Sequence, residues 1–143
     1  MARGISKNYL NDLASVPLFS ACTQEELENI ATLGTEVEVE AGRVLMTQGD
    51  PAREAFLVQE GEAVCEKDGD EVARFGPGDF FGEMALISHG PRTATVTATT
   101  AMKLRAFHVT EFNQLLHDSP SIAVKILTAT AERLLHVEDS PTH

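Results

Sequence analysis

From Thr35 to His108 the chain is written in short segments of period two, cut at close intervals by glycine and proline. Glu36-Val37-Glu38-Val39-Glu40 alternates without a break. Alternation of this kind gives a strand one apolar and one wetted face, so its glutamates read as a solvated surface. Ala41-Gly42 turns the chain, residues 43–47 make the next strand, and Gln48-Gly49-Asp50-Pro51 the next turn. Residues 55–59 read as a buried strand, Glu60-Gly61 as a turn, and residues 62–66 as the hairpin partner of 55–59. Asp68-Gly69-Asp70 is a tight hairpin turn. Residues 72–75, 93–99 and 102–108 supply further strands, with Gly76-Pro77-Gly78-Asp79 as a turn before the stretch 81–96. Short strands separated by turn signals at this spacing predict an all-β barrel or jelly roll.

Both flanks change to helical spacing. Tyr9, Leu10, Leu13 and the run Val16-Pro17-Leu18-Phe19 predict a short amphipathic helix ending at the proline. Thr23 and Glu26 have the spacing of a capping box, and Leu27, Ile30, Ala31 and Leu33 supply the apolar side of a second helix, with Gly34 as its stop. Beyond the strands, Thr110 is placed to cap a helix through Phe112, Leu115 and Leu116. Ser119-Pro120 sets an N-cap before a proline at the first helical position. Ile122, Ala123, Ile126, Leu127, Thr130, Ala131 and Leu134 then mark one face of a longer helix, read as a core face over most of its length. The expected division of one 143-residue domain is helices over 1–34, a barrel over 35–108 and helices over 109–137.

The net charge of −11, from 22 acidic and 11 basic residues, opposes binding to nucleic acid and to anionic membrane surfaces. Any anion has to be captured by a local site rather than by the overall field. Cys22 and Cys65 stand apart from each other and from any histidine cluster, and read as reduced cysteines. No apolar leader and no run of membrane-spanning length occurs, so a cytoplasmic chain without membrane insertion is expected.

The stretch 81–96, Phe-Gly-Glu-Met-Ala-Leu-Ile-Ser-His-Gly-Pro-Arg-Thr-Ala-Thr-Val, carries the chemistry. Between Gly82 and Thr100 there is one cation, Arg92, and one carboxylate, Glu83. Ala94, Val96 and Ala98 share one strand face, the threonines at 93, 95, 97 and 99 the other, and Arg92 has the parity of the apolar face. An inward guanidinium keeps its charge and requires an anion, and its planar fork suits a phosphate. The alternative placement is a solvated loop arginine whose parity is broken by Pro91. Gly82 before a helical turn at Met84-Ala85-Leu86-Ile87 allows close backbone approach, and the small Ala85 leaves room for a phosphate. Glu83 would repel that phosphate and is better used on a sugar hydroxyl. Together these describe a nucleotide whose phosphate lies close to its ribose.

The stretch resembles the phosphate-binding cassette of cyclic nucleotide-binding domains, the family of cAMP-dependent kinase regulatory subunits, catabolite activator proteins and cyclic nucleotide-gated channels. The resemblance rests on Phe81, Gly82, Glu83, Met84, Ala85, Leu86, Pro91, Arg92, Ala94, Thr95 and Val96. Similar residues recur at Gln48-Gly49-Asp50, at Phe56-Leu57-Val58 with Gly61, and at 76–79, so it covers the chain from about Val16 onward. It implies a double-stranded β-helix (jelly-roll) barrel, mainly β, with N-terminal helices and a C-terminal lid helix. It implies Arg92 on the cyclic phosphate, Glu83 on the ribose 2′-hydroxyl and backbone contributions from Gly82, Ala85 and Thr93, with Met84 and Ala94 completing the ligand set. Thr93 is also the position at which some relatives read guanine. The C-terminal helix would place Arg133 or Leu134 over the base. The expected ligand is cAMP, with measurable cGMP binding and no cofactor besides.

Three other readings are weighed against this sensor module. A metal enzyme on a similar double-stranded fold needs an H-x-H set. The histidines at 89, 108, 117, 136 and 143 do not provide one, and no nucleophile elbow or Walker loop occurs. A DNA-binding regulator needs a helix-turn-helix beyond the long helix, where this chain has the acidic tail 137–143. A fold-retaining interaction module without ligand is opposed by the presence of both Glu83 and Arg92. The expected partners are therefore a cyclic nucleotide and a protein partner or a second copy, with no nucleic acid. The chain reads either as a module acting on a separate partner or as the sensor fragment of a larger channel, transcription factor or enzyme.

Overall fold

The computed structural model describes residues 6–87 and 90–139, with the side chains at 84, 87, 130 and 132–139 outside the description. The chain divides into two compact units, one of residues 33–113 and the other of residues 1–32 with 114–143.

The first unit is a two-sheet antiparallel jelly roll. Its strands are β1 (Thr35–Val39), β2 (Val44–Met46), β3 (Glu54–Glu60), β4 (Ala63–Lys67), β5 (Asp70–Phe75), β6 (Phe80–Phe81), β7 (Thr95–Ala98) and β8 (Met102–His108). They are ordered β1-β8-β3-β6 in one sheet and β2-β7-β4-β5 in the other. Within β1, Val37 and Val39 are half-buried while Glu36 and Glu38 are exposed, the division that the alternation predicts. Val58, Val96 and Leu104 are fully buried, and Phe56, Cys65, Phe81 and Met102 join them in one cluster between the sheets. Lys67 pairs with Asp70 across Asp68 (φ 54) and Gly69 (φ 87). Two successive positive φ values make the predicted two-residue turn, whose twist matches that of the strands.

Residues 62–66 are not the hairpin partner of 55–59. β3 pairs with β8 and β6, whereas β4 pairs with β5 and β7 in the other sheet. The register of β3 on β8 slips between Val58 and Glu60, and Gly61 then turns at φ +91, where a Cβ would stand 2.3 Å from Ala101 O. Glu62 is taken up by the loop after β7, its N–H donating to Thr100 Oγ1 at 3.0 Å and its carbonyl accepting from Thr99 N–H at 2.9 Å. Gly61 is thus a crossing between sheets. The two-residue strand β6, which opens the cassette, was not anticipated either.

The helical unit contains α1 (Lys7–Ala14), a 3-10 turn (Pro17–Phe19), α2 (Gln24–Ala31) and α5 (Pro120–Asp139). α4 (Val109–Asp118) spans the boundary between units. The capping box at α2 is complete: Glu26 N–H donates to Thr23 Oγ1 at 3.2 Å and Thr23 N–H to Glu26 Oε1 at 2.8 Å. α1 packs on α2, and Tyr9 Oη donates to Ala31 O at 2.7 Å across that contact. Three boundaries differ from expectation. α2 ends at Thr32 in the right-handed region rather than at Gly34, whose φ is not positive. α4 begins at Val109, one residue before Thr110, because β8 runs directly into it and Val109 N–H donates to Arg53 O at 2.9 Å. On α5 the buried face is Ile122, Ile126 and Ala129, while Leu127 is 69% exposed and Ala131 is exposed. Leu127 lies five residues after Ile122, about 140° around the helix, and so leaves the buried stripe.

Candidate functional site

Phe81 is buried in β6, stacked on Phe75 at 4.8 Å and on Phe56 at 5.2 Å between ring centroids. This fixes where the cassette leaves the barrel. The chain then turns at Gly82 (φ +76) into α3 (Met84–Ile87), the helical turn anticipated from the sequence. Ala85 N–H donates to Gly82 O and Leu86 N–H to Glu83 O, both at 3.0 Å. Ala85 and Leu86 are buried, and Glu83 is half-buried at the rim.

Burial alternates from Arg92 to Ala98, with Arg92, Ala94, Val96 and Ala98 inward. Ladder pairing begins only at Thr95, so Arg92 is carried inward by a bend that keeps the parity of the strand after it. Arg92 is 7% exposed and is the one buried charged residue among the described residues. Its Nη2 donates to the carbonyl oxygen of Glu54 at 2.6 Å, a neutral acceptor. No described carboxylate makes an ion pair with it. Burial lowers its pKa below the ordinary arginine value, with the Glu54 carboxylate opposing that shift. The group stays charged, because arginine does not deprotonate in proteins.

Gly82 is required beside it. A Cβ at that position would stand 2.9 Å from Arg92 Nη1 and 3.2 Å from Glu54 O, and the positive φ disfavours any side chain. The guanidinium therefore lies against the bare backbone of Gly82.

In front of these groups is a cavity of about 490 Å³, within the range of small-molecule sites. Gly82, Glu83, Ala85, Arg92, Thr93 and Ala94 all line it, so the sequence-predicted residues converge. The Met84 side chain lies outside the described residues, as do those of Arg133 and Leu134; the helical backbone of α5 is described through Asp139. The cavity also has walls that sequence reasoning did not single out: Met46, Ala52, Cys65, Phe75 and Phe80. The inward parity of Cys65 within β4 is the signal that could have found it. Burial raises its thiol pKa, with Glu66 adding to the shift, which disfavours the thiolate. Among the described residues no cluster of three or more His, Cys, Asp or Glu could hold a metal ion.

This geometry defines a class: a two-sheet barrel enclosing a small-molecule cavity, with a desolvated cation and a carboxylate in its wall. Residues 36–119 match the cyclic nucleotide-binding domain family, and the chain belongs to it. It is 35% identical over 108 residues to a cAMP-dependent protein kinase regulatory subunit of Hypocrea atroviridis, covering 76% of this chain and 23% of that one. It is 38% identical over 121 residues to a cyclic nucleotide-gated potassium channel of Mesorhizobium japonicum, covering 85% and 34%. The chain thus spans between about a quarter and about a third of the length of these two relatives. Among solved structures, the N-terminal domain of a transcriptional regulator from Streptomyces coelicolor superposes with a TM-score of 0.82 at 33% identity, covering 92% of this chain and 94% of that one. The regulatory domain of Toxoplasma gondii PKA with cAMP superposes with a TM-score of 0.73 at 33% identity, covering 83% and 47%. No helix among the described residues is long and apolar enough to cross a membrane.

Proposed function

We propose that the barrel cavity binds a 3′,5′-cyclic nucleotide, with cAMP the main ligand and cGMP binding measurable. The observation that carries this reading is Arg92, a buried cation at the cavity wall with a carbonyl as its hydrogen-bond partner and, among the described residues, no ion-paired carboxylate. A desolvated charge calls for an opposite charge, and a cyclic phosphate supplies one with oxygens that match the guanidinium fork. Glu83, at the same cavity, accepts from the ribose 2′-hydroxyl, while the backbone of Gly82, Ala85 and Thr93 closes around the phosphate. The Thr93 hydroxyl provides the modest affinity for guanine.

The output is mechanical. In this reading ligand binding changes the contacts of α5, whose sequence holds Arg133 and Leu134 as the candidates to cover the base, and the moved helix alters a protein partner or a second copy. A ligand shifts such an element only through contacts that differ between the free and bound states.

Calorimetric titration with cAMP and cGMP tests the reading. Binding of cAMP, together with slower amide exchange across residues 128–137 and the cassette, is the expected result. Absence of binding by both nucleotides removes the ligand assignment, and a cGMP preference beyond about tenfold, near 1.4 kcal/mol, reverses the order. Exchange that slows only around 82–93 removes α5 as the lid.

A further inference from the structure

The loop between β2 and β3, together with the first residue of β3, holds Arg92 at both ends. Gly49 N–H donates to Arg92 O at 2.9 Å, and Arg92 N–H donates to Asp50 O at 2.7 Å. Pro51 and Pro91 form an antiparallel bridge beside them. A few residues on, Glu54 O takes the Nη2 of the same arginine at 2.6 Å. One segment therefore sets the backbone of Arg92 and the far tip of its side chain.

The far end of this segment is held by β8 and α4, where Glu54 pairs with His108 and Arg53 O accepts from Val109 N–H at 2.9 Å; its near end is braced by Gln48. The Gln48 N–H donates to Thr95 Oγ1 at 2.9 Å. Its side-chain amide reaches the tip of the β4–β5 hairpin, where Nε2 donates to Asp68 Oδ1 at 2.8 Å and Oε1 accepts from Asp68 N–H at 3.0 Å. Both ends of one amide close on one residue, which fixes direction as well as distance. Asp68 is placed by the two-residue turn that it forms with Gly69, which the Lys67–Asp70 pair closes.

We propose that Gln48 is a positioning residue for the ligand: by tying the near end of the 49–54 segment to Asp68, it helps set the direction in which the Arg92 guanidinium faces the cavity. The inference rests on the reading of Arg92 as the phosphate-binding group. Without the Gln48 side chain the Gly49–Arg92 pairing and the Pro51–Pro91 bridge remain, so the barrel still closes. What relaxes is the aim of the fork, and small displacements of a positioned group weaken what it recognises.

The test is calorimetric titration of the full chain with cAMP and with its two phosphorothioate diastereomers, in which sulfur replaces one or the other exocyclic oxygen. A well-aimed fork distinguishes the two oxygens, and a loosened one distinguishes them less. Gln48→Ala is expected to bind cAMP roughly three- to tenfold more weakly, the scale of one to two hydrogen bonds. It is also expected to narrow the ratio of affinities between the diastereomers. Gln48→Glu sets two carboxylates face to face and is expected to lose at least as much. Adding Asp68→Asn to Gln48→Glu restores an amide–carboxylate pair with the roles exchanged, at a position whose backbone asparagine tolerates, and returns affinity to within about twofold of wild type. Three results overturn the inference alone: an unchanged Gln48→Ala, a weakened Gln48→Ala with an unchanged diastereomer ratio, or no recovery in the double variant. A wild-type chain that binds no cAMP overturns the ligand reading, and this inference with it.

Discussion

Glu26 in the helical unit and Arg92 in the barrel are both charged side chains drawn out of water, and they are partnered in opposite ways. Glu26 is 13% exposed, and its carboxylate accepts from Thr23 N–H, Ser121 Oγ and Lys125 Nζ, all within its own unit. Those donors hold its pKa at about 2, with the Lys125 hydrogen bond the largest cause, then Thr23 and Ser121. Arg92 has five N–H donors to place, and its described side-chain hydrogen bond goes to a neutral carbonyl. A charge saturated by its own chain fastens one element to another. A charge left with donor capacity at a cavity wall is available to something that arrives from solution.

Removing each charge separates the two roles. Arg92→Ala is expected to weaken cAMP by about 2–4 kcal/mol, roughly 30- to 1,000-fold, because it deletes a charge-assisted fork. Binding within a few fold of wild type by calorimetry would show that the phosphate sits elsewhere. Gly82→Ala leaves both charges in place but forces a Cβ against Arg92 Nη1 and a side chain onto a positive φ. It is expected to lower stability by about 1–3 kcal/mol, read from the denaturant midpoint, and to weaken cAMP as the guanidinium is displaced. Unchanged affinity would mean that the contact between Gly82 and Arg92 is incidental.

Glu26 should report in stability. Its folded pKa lies below the ordinary glutamate value of 4.5, so its contribution is fully present above about pH 4.5 and is lost as the pH falls toward 2. Glu26→Gln should therefore flatten the pH dependence of the thermal midpoint across that window, and a variant as acid-sensitive as wild type would refute the assignment. Thr23→Ala, which removes the other half of the capping box, is expected to cost about 1 kcal/mol.

The parts of this molecule that were legible in sequence are those decided within a few residues. The Thr23–Glu26 box, the Asp68-Gly69 turn and the inward parity of Arg92 each depend on near neighbours. The position of Gly82 before a helical turn was legible for the same reason. What was not legible depends on distant partners. A two-residue step at Glu60-Gly61 looks like a hairpin until Thr99 and Thr100 claim the backbone of Glu62. β6 is too short to show a period, and exists because Phe80 and Phe81 find β3. Leu127 is apolar and helical, yet burial on α5 follows Ile122, Ile126 and Ala129. At the cavity, the two charges could be read in advance, while Met46, Ala52 and Phe75 become walls only once the sheets face each other.

The pairing of β1 with β8, Thr35 opposite Ala106 and Val39 opposite Met102, has a consequence for how the protein is made. A chain emerging from the ribosome exposes β1 long before its partner is synthesised, and for several seconds that strand has an unclaimed edge. The β4–β5 hairpin needs only its own turn and is able to form first. The sheet that contains β1 waits for His108. Long-range pairing of this kind sets folding on the millisecond-to-second scale. During that wait Glu36, Glu38 and Glu40 act as gatekeepers, since a strand with a carboxylate at every second position repels copies of itself.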